Sequence, residues 1–262
     1  MSDGSRTTSP SIYTAAIRQA RSSGFPQPWA ERGISAAFYD VIAAESLAGM
    51  YGGEIAPAQS SRPAPQLCDE VIYVMAGRGS ATRKGPISFE WGPRSLFAIP
   101  LNHRYQLHNS SGREPARFVS VNTIPIVYNL FRDPKFVFGC DWQFDRIDGD
   151  ASLSDSVVYR PDEKHERTAV TCHETTFVPD IFLVQRTSFA ERGAGNQTVY
   201  FELANSVISV HVAEHPGLQF FNPHRHGRRW SAARSSAPIF GANGRLQSPV
   251  GCARARSFCS SR

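Results

Sequence analysis

The chain has 262 residues, a mass of 28.9 kDa, a formal net charge of +5 and a pI near 9.1. That length holds one large domain or two ordinary ones, with a core of real size. Mean hydropathy is −0.32, 41% of residues are hydrophobic and 11% aromatic, and no apolar run is long enough to span a bilayer; a helical membrane protein, collagen, coiled coil and wholesale disorder are excluded.

In chain order, residues 1–24 read as an unstructured start (MSDGSRTTSP) followed by a short surface helix over Ser11–Arg21, where Ile12, Ala15, Ala16 and Ile17 share one side. No apolar h-region opens the chain, and its five cysteines (Cys68, Cys140, Cys172, Cys252 and Cys259) have no CxxC spacing. A secretory signal, a disulfide framework and a zinc cluster are therefore not expected, and a reducing cytoplasmic setting with no membrane partner is.

From Phe38 the texture changes to short β-prone runs separated by Gly and Pro. Strands are predicted at Phe38–Ala43, Met50–Ile55, Val71–Met75, Ile87–Trp91, Leu96–Ile99 and Arg117–Val121. Such close, regular spacing predicts an all-β antiparallel sandwich or barrel over residues 25–145. Residues 146–178, opening DRIDGDASLSDS without a strong period, read as a connection. A second β series follows in 179–227, with strands predicted at Ile181–Gln185, Thr198–Glu202, Ser206–Val212 and Gln219–Phe221, and it suggests an internal duplication.

Residues 228–262 differ in kind. They hold seven arginines and no acidic residue, so this basic, low-complexity tail carries +7 while residues 1–227 carry −2. The basic pI is thus no property of the body. With few aromatics in the tail (Trp230, Phe240, Phe258) and no recognisable reading motif, nucleic acid is not the expected partner, although tail binding to phosphates stays open as a remote alternative.

The sharpest local pattern is Glu70-Val-Ile-Tyr-Val-Met-Ala-Gly77, then Ser95-Leu-Phe-Ala-Ile-Pro100, then Asn109. This resembles the two motifs of the cupin superfamily, G-x5-H-x-H-x3/4-E-x6-G and G-x5-P-x-G-x2-H-x3-N. The resemblance runs over about residues 25–227, through EVIYVMAGRG, SLFAIP, REPARF, FVPD, ERGAG, FELANS and PHRHG, and is to two-cupin proteins loosely grouped with gentisate-type dioxygenases. It implies a double-stranded β-helix (jelly-roll barrel), a short N-terminal helix before it and an incomplete second barrel after it. In the family, three His and one Glu hold a divalent metal inside the barrel. Here the positions of the three imidazoles fall on Ala64, Gln66 and Tyr105, and only Glu70 is kept. No metal is therefore expected in the first barrel, because one carboxylate, one carboxamide and one phenol make a poor transition-metal set.

What remains is an apolar barrel with Gln66, Glu70 and Tyr105 as convergent polar groups, suited to a small organic ligand. Glu70 and Tyr105 are the candidate acid–base residues if chemistry persists; otherwise Glu70 closes a hydrogen-bond network. On simple alternation His103 shares a face with Tyr105 and His108 faces away, and both read as rim or surface residues. The first expectation is thus a ligand-binding cupin with catalysis absent or residual.

The alternative is a metal-dependent dioxygenase using the second series' Pro223-His224-Arg-His226-Gly227, with iron the metal the resemblance implies and Glu202, Glu214 or His215 as further ligands. A homodimer is expected from the resemblance. The second motif breaks off after His226, where the Arg-, Ser-, Ala- and Gly-rich tail begins; residues from about 228 are expected to be a frameshifted or otherwise aberrant end. The other two reading frames of the coding DNA past codon 227 should then hold a Glu and a His at motif spacing, and their absence from both frames would refute the frameshift.

Overall fold

In the computed structural model the described residues are 26–39, 48–83, 88–142, 144, 157–159, 171–190 and 193–214. The expected N-terminal helix, the His224/His226 pair and the basic tail lie outside them. Fifteen strands and two helices are present among the described residues.

The strands are β1 (Gln27–Trp29), β2 (Ile34–Tyr39), β3 (Gly49–Ile55), β4 (Glu70–Ala76), β5 (Gly79–Arg83), β6 (Ser88–Trp91), β7 (Leu96–Ile99), β8 (Tyr105–Asn109), β9 (Ala116–Asn122), β10 (Val157–Tyr159), β11 (Thr171–Thr175), β12 (Phe177–Val178), β13 (Thr187–Ser188), β14 (Gln197–Leu203) and β15 (Ser209–Glu214). The helices are α1 (Ile124–Phe131) and α2 (Pro134–Gly139). None of the described helices is long and apolar enough to cross a membrane.

A seven-stranded sheet runs β1-β2-β3-β9-β4-β7-β12, and a three-stranded sheet runs β6-β5-β8. All their pairings are antiparallel. Strands consecutive in sequence separate into different sheets: β4 joins β9 and β7, whereas β5 joins β6 and β8. This is an all-β arrangement of jelly-roll form, two antiparallel sheets packed face to face. Its apolar filling comes from alternate residues of both sheets, including Phe38, Tyr51, Ile72, Val74, Phe97, Leu107, Phe118 and Phe177. Gly53 is needed for this packing, because a Cβ there would lie 2.3 Å from the Phe118 ring on the paired strand.

The strand bounds predicted from sequence were displaced most at β2, which lies at Ile34–Tyr39 rather than Phe38–Ala43. The run over 181–185 is a turn held by Ile181 N–H to Arg94 O and Leu183 N–H to Asp180 O, not a strand. Conversely, the weakly patterned stretch 146–178 contains β10, β11 and β12. Helices α1 and α2 carry no distinct sequence signal, because they are short and rich in Val, Ile and Phe, which also suit strands. Their ends still follow local rules: Asp133 caps α2 by accepting from the backbone N–H groups of Lys135 (2.8 Å) and Phe136, with Pro134 as the first helical residue.

The second β series forms a five-stranded sheet, β10-β11-β14-β13 with β15 against β14, and β11–β14 is its parallel pair. This sheet lies on the outer face of the seven-stranded sheet. Val71, Leu96 and Ala98 point outward from β4 and β7 and pack with Val199, Phe201, Leu203 and Val212 of the second sheet. Consequently β7 is buried at all four residues. A polar tether reinforces the contact, as the buried Asp69 carboxylate accepts a hydrogen bond from the Val207 N–H at 3.2 Å.

The apolar join should carry real stability. Phe201 is fully buried within it, so Phe201→Ala is expected to cost about 3–5 kcal/mol of unfolding free energy in denaturant titration. A loss below about 1 kcal/mol, within the range of a surface substitution, would mean that the second sheet is not coupled to the barrel.

Candidate functional site

The interior end of the barrel is organised by Glu70, the first residue of β4. The strand's alternation sends Glu70, Ile72 and Val74 inward and Val71 and Tyr73 toward the second sheet. Glu70 is fully buried. Its Oε1 accepts from the Tyr51 hydroxyl of β3 at 2.5 Å and the Ser120 hydroxyl of β9 at 2.6 Å. Its Oε2 accepts from the Tyr105 hydroxyl of β8 at 2.6 Å and from Gln66 Nε2. Strand pairing explains the convergence: Glu70 sits opposite Asn122, which sits opposite Gly49, so Ser120 and Tyr51 occupy the next inward row.

The positive charge comes from Arg32, in the turn Ala30–Gly33 between β1 and β2. Gly33 closes that turn at φ +63°, where a Cβ would also come within 3.1 Å of the Arg62 backbone nitrogen. The Arg32 guanidinium enters the barrel beside Glu70, with Nη2 3.5 Å from Oε2 and donating to the Tyr105 hydroxyl, and Nη1 donating to Ala64 O at 3.4 Å. It also lies over two aromatic rings, 5.1 Å from the Tyr105 centroid and 5.7 Å from that of Trp29. Nothing local marks this arginine as interior: Glu31-Arg32-Gly33 reads as an ordinary polar hairpin turn.

The four positions that the resemblance matched to the cupin ligand set do meet. Ala64 forms an isolated antiparallel bridge to Tyr105, and both Gln66 and Tyr105 donate to Glu70. The stretch holding Ala64 and Gln66 is not a regular strand, however. Pro63 and Pro65 remove alternate N–H donors, so it makes single bridges (Ser60↔His108, Ala64↔Tyr105) instead of a ladder.

The donor set does not fit a divalent metal. It offers one carboxylate, one carboxamide and phenols, without an imidazole, and a dication would face the Arg32 charge. Among the described residues, no group of three or more His, Cys, Asp or Glu is placed to hold an ion. His103 was expected at the rim or surface. Instead it is buried, with Nδ1 3.1 Å from Leu101 O, because it lies in the turn before β8 where strand alternation does not apply. His108 faces away from Tyr105 along β8 and is held between the Ser60 hydroxyl (2.8 Å, Nδ1) and the Thr82 hydroxyl (2.9 Å, Nε2).

Of the further ligands considered for the His224/His226 pair, Glu202 stands opposite Ser209 and Glu214 opposite Gln197. The two glutamates are thus at opposite ends of the β14–β15 hairpin, about 17 Å apart at the rise of a strand, too far to serve one ion. Glu214 pairs with Arg186 at 3.2 Å. Asn109, the last residue of the second motif, is a clamp for the chain: its Nδ2 donates to the carbonyls of Ile55, Ala56 and Glu114, and its Oδ1 accepts from Ser111 N–H.

Two features bear on reactivity. A carboxylate has about four lone-pair sites, and Glu70 has them occupied by Tyr51, Ser120, Gln66 and Tyr105. Gln66 Oε1, by contrast, is buried without a hydrogen-bond partner. Burial raises the Tyr51 and Tyr105 phenols well above the usual 10.0, with the Glu70 charge raising both further against an opposing pull from Arg32. Burial likewise raises the Cys68 thiol, which disfavours its reactive thiolate.

No protein-family model matches the chain, and no curated protein matches it. Solved structures similar to it include a cupin-2 domain protein from Rhodospirillum rubrum (17% identity, TM-score 0.32, covering 38% of this chain and 66% of that one). Others are the polyketide cyclase RemF from Streptomyces resistomycificus (19%, 0.34, 37% and 72%) and the Cnp3 cupin domain of Schizosaccharomyces pombe (15%, 0.35, 42% and 75%). The match spans just under two thirds of the first of these chains.

The raised phenols set an alkaline limit. A proton bound more tightly in the folded state contributes stability that is complete below about pH 10 and is lost as pH rises above it. The phenolate absorbance of Tyr51 and Tyr105 is expected to appear only as the chain unfolds. Tyr51→Phe and Tyr105→Phe should each remove one phenolate from that late phase; early ionisation of either tyrosine in the folded protein would refute the arrangement.

Proposed function

We propose that this cupin-type barrel binds a small, uncharged organic ligand carrying a hydroxyl or amide N–H, and that it does so without a metal. The observation that carries this reading is Gln66 Oε1, a buried acceptor with no donor, set beside a carboxylate whose needs are already met. Leaving such an acceptor unpaired costs about 1–3 kcal/mol, which a ligand donor would recover. Charge narrows the ligand class. Glu70 and Arg32 neutralise each other, so among the described residues neither a carboxylate nor an ammonium ligand meets a free counter-charge beside Gln66.

The same saturation argues for binding over catalysis. To take a proton from a substrate, Glu70 would have to surrender one of its four hydrogen bonds, and Tyr105, held neutral by burial, already donates to it. We therefore assign Gln66 to ligand contact, and Glu70 and Tyr105 to holding the site in shape. Any acid–base role of that pair would be residual.

Thermal denaturation of the full chain against neutral polyols and small amides tests this reading. A saturable rise in Tm is expected with at least one of them. Gln66→Met should weaken that ligand about tenfold, the worth of one hydrogen bond of about 1–1.5 kcal/mol. Stoichiometric iron in the purified protein, lost in His224→Ala or His226→Ala, would overturn the proposal in favour of a dioxygenase.

A further inference from the structure

The surroundings of Arg32 have the makings of a recognition site for a planar organic cation. A carboxylate oxygen (Glu70 Oε2, 3.5 Å), a backbone carbonyl (Ala64 O, 3.4 Å) and a hydroxyl (Tyr105) meet the guanidinium nitrogens, and the rings of Trp29 and Tyr105 lie beside its carbon. Arg32 is buried, and so is each of the side chains that contact it. Its own backbone is held separately: Arg32 N–H donates to Trp29 O at 3.1 Å, and Arg32 O accepts from Arg62 N–H at 2.8 Å. The guanidinium therefore enters from a turn that is anchored independently of it.

We infer that the barrel contains a guanidinium site occupied by the chain's own Arg32, which supplies internally the positive charge that Glu70 requires. The cation is organic rather than metallic because the oxygen donors are a lone carboxylate, a carbonyl and a phenol, while the aromatic faces suit a weakly hydrated planar ion. With Arg32 removed, Glu70 becomes a buried carboxylate without a counter-charge, and the space left matches a free guanidinium compound. The site is independent of whether the barrel also takes a neutral ligand at Gln66.

Methylguanidinium is the probe, with the full-length Arg32→Ala variant as its host. The variant should melt lower than wild type and recover on addition of millimolar methylguanidinium chloride in a saturable way, but not with sodium chloride at equal concentration. At 100 times its Kd the probe should raise the folded-to-unfolded ratio about 100-fold. Wild type, whose site is filled, should give no saturable response, and Arg32→Ala combined with Glu70→Gln should lose it.

No response in Arg32→Ala, an equal response in wild type, or stoichiometric uptake of Mn²⁺ or Zn²⁺ by the variant in place of methylguanidinium would overturn the inference. If Arg32→Ala does not fold, the comparison is Arg32→Met against Arg32→Met with Glu70→Gln. Removing the stranded carboxylate should restore folding, and failure to restore it would overturn the inference equally.

Discussion

A carboxylate shut away from water must be neutralised and hydrogen-bonded where it stands, or it takes up a proton or unfolds the chain around it. Glu70 meets both requirements through side chains drawn from every part of the barrel. Tyr51 comes from β3, Ser120 from β9, Tyr105 from β8, Gln66 from the proline-rich stretch before β4, and Arg32 from the β1–β2 turn. Tyr51, Ser120 and Tyr105 reach Glu70 only if their strands are in register. One residue of slip in β9 would turn Ser120 outward and put a neighbour in its place. The charge thus ties hairpin, sheets and loop into one geometry.

The second constraint is that β7 and the first half of β4 are packed on both faces. Inward, they contribute Ile72, Val74, Phe97 and Ile99 to the barrel; outward, Val71, Leu96 and Ala98 meet the sheet containing β14. A jelly roll alone would expose that outer face, and a strand apolar on both sides then invites association. The second β series covers it, and Asp69 fastens the cover through Val207 N–H immediately beside Glu70. The residue that begins the polar cluster and the residue that tethers the outer sheet are therefore adjacent in the chain.

Much of the barrel is legible in the sequence. Alternation with regular Gly and Pro punctuation located β3, β4, β6, β7, β9 and β14 to within about two residues, and the spacing from Glu70 to Gly77 and from Pro100 to Asn109 carried the motif frame. Where the reading failed, a local signal was missing or shared. The run at Ile181 is as β-prone as a strand but pairs with none among the described residues, and Arg94 O takes its first N–H. The segment around Thr171–Thr175 is polar enough to pass for a linker, yet it pairs with β10 and β14. Strand parity does not extend to His103, which stands in the turn closed by its N–H on Pro100 O.

The division at the site follows from the range of the forces involved. Period-2 alternation is a property of neighbouring residues, so the sequence by itself determined an all-β sandwich or barrel, while the shared interior position of Glu70, Gln66 and Tyr105 is what the resemblance to the cupin motifs implied. Arg32 is 38 residues from Glu70, in a turn where an arginine is unremarkable, and Tyr51 and Ser120 are ordinary strand residues. Only the closed barrel brings these groups within reach of one carboxylate, because burial and counter-charge are set by what surrounds a group in space. The tertiary structure therefore decided that Glu70 is satisfied, that its partner cation is a guanidinium, and that Gln66 Oε1 is left without one.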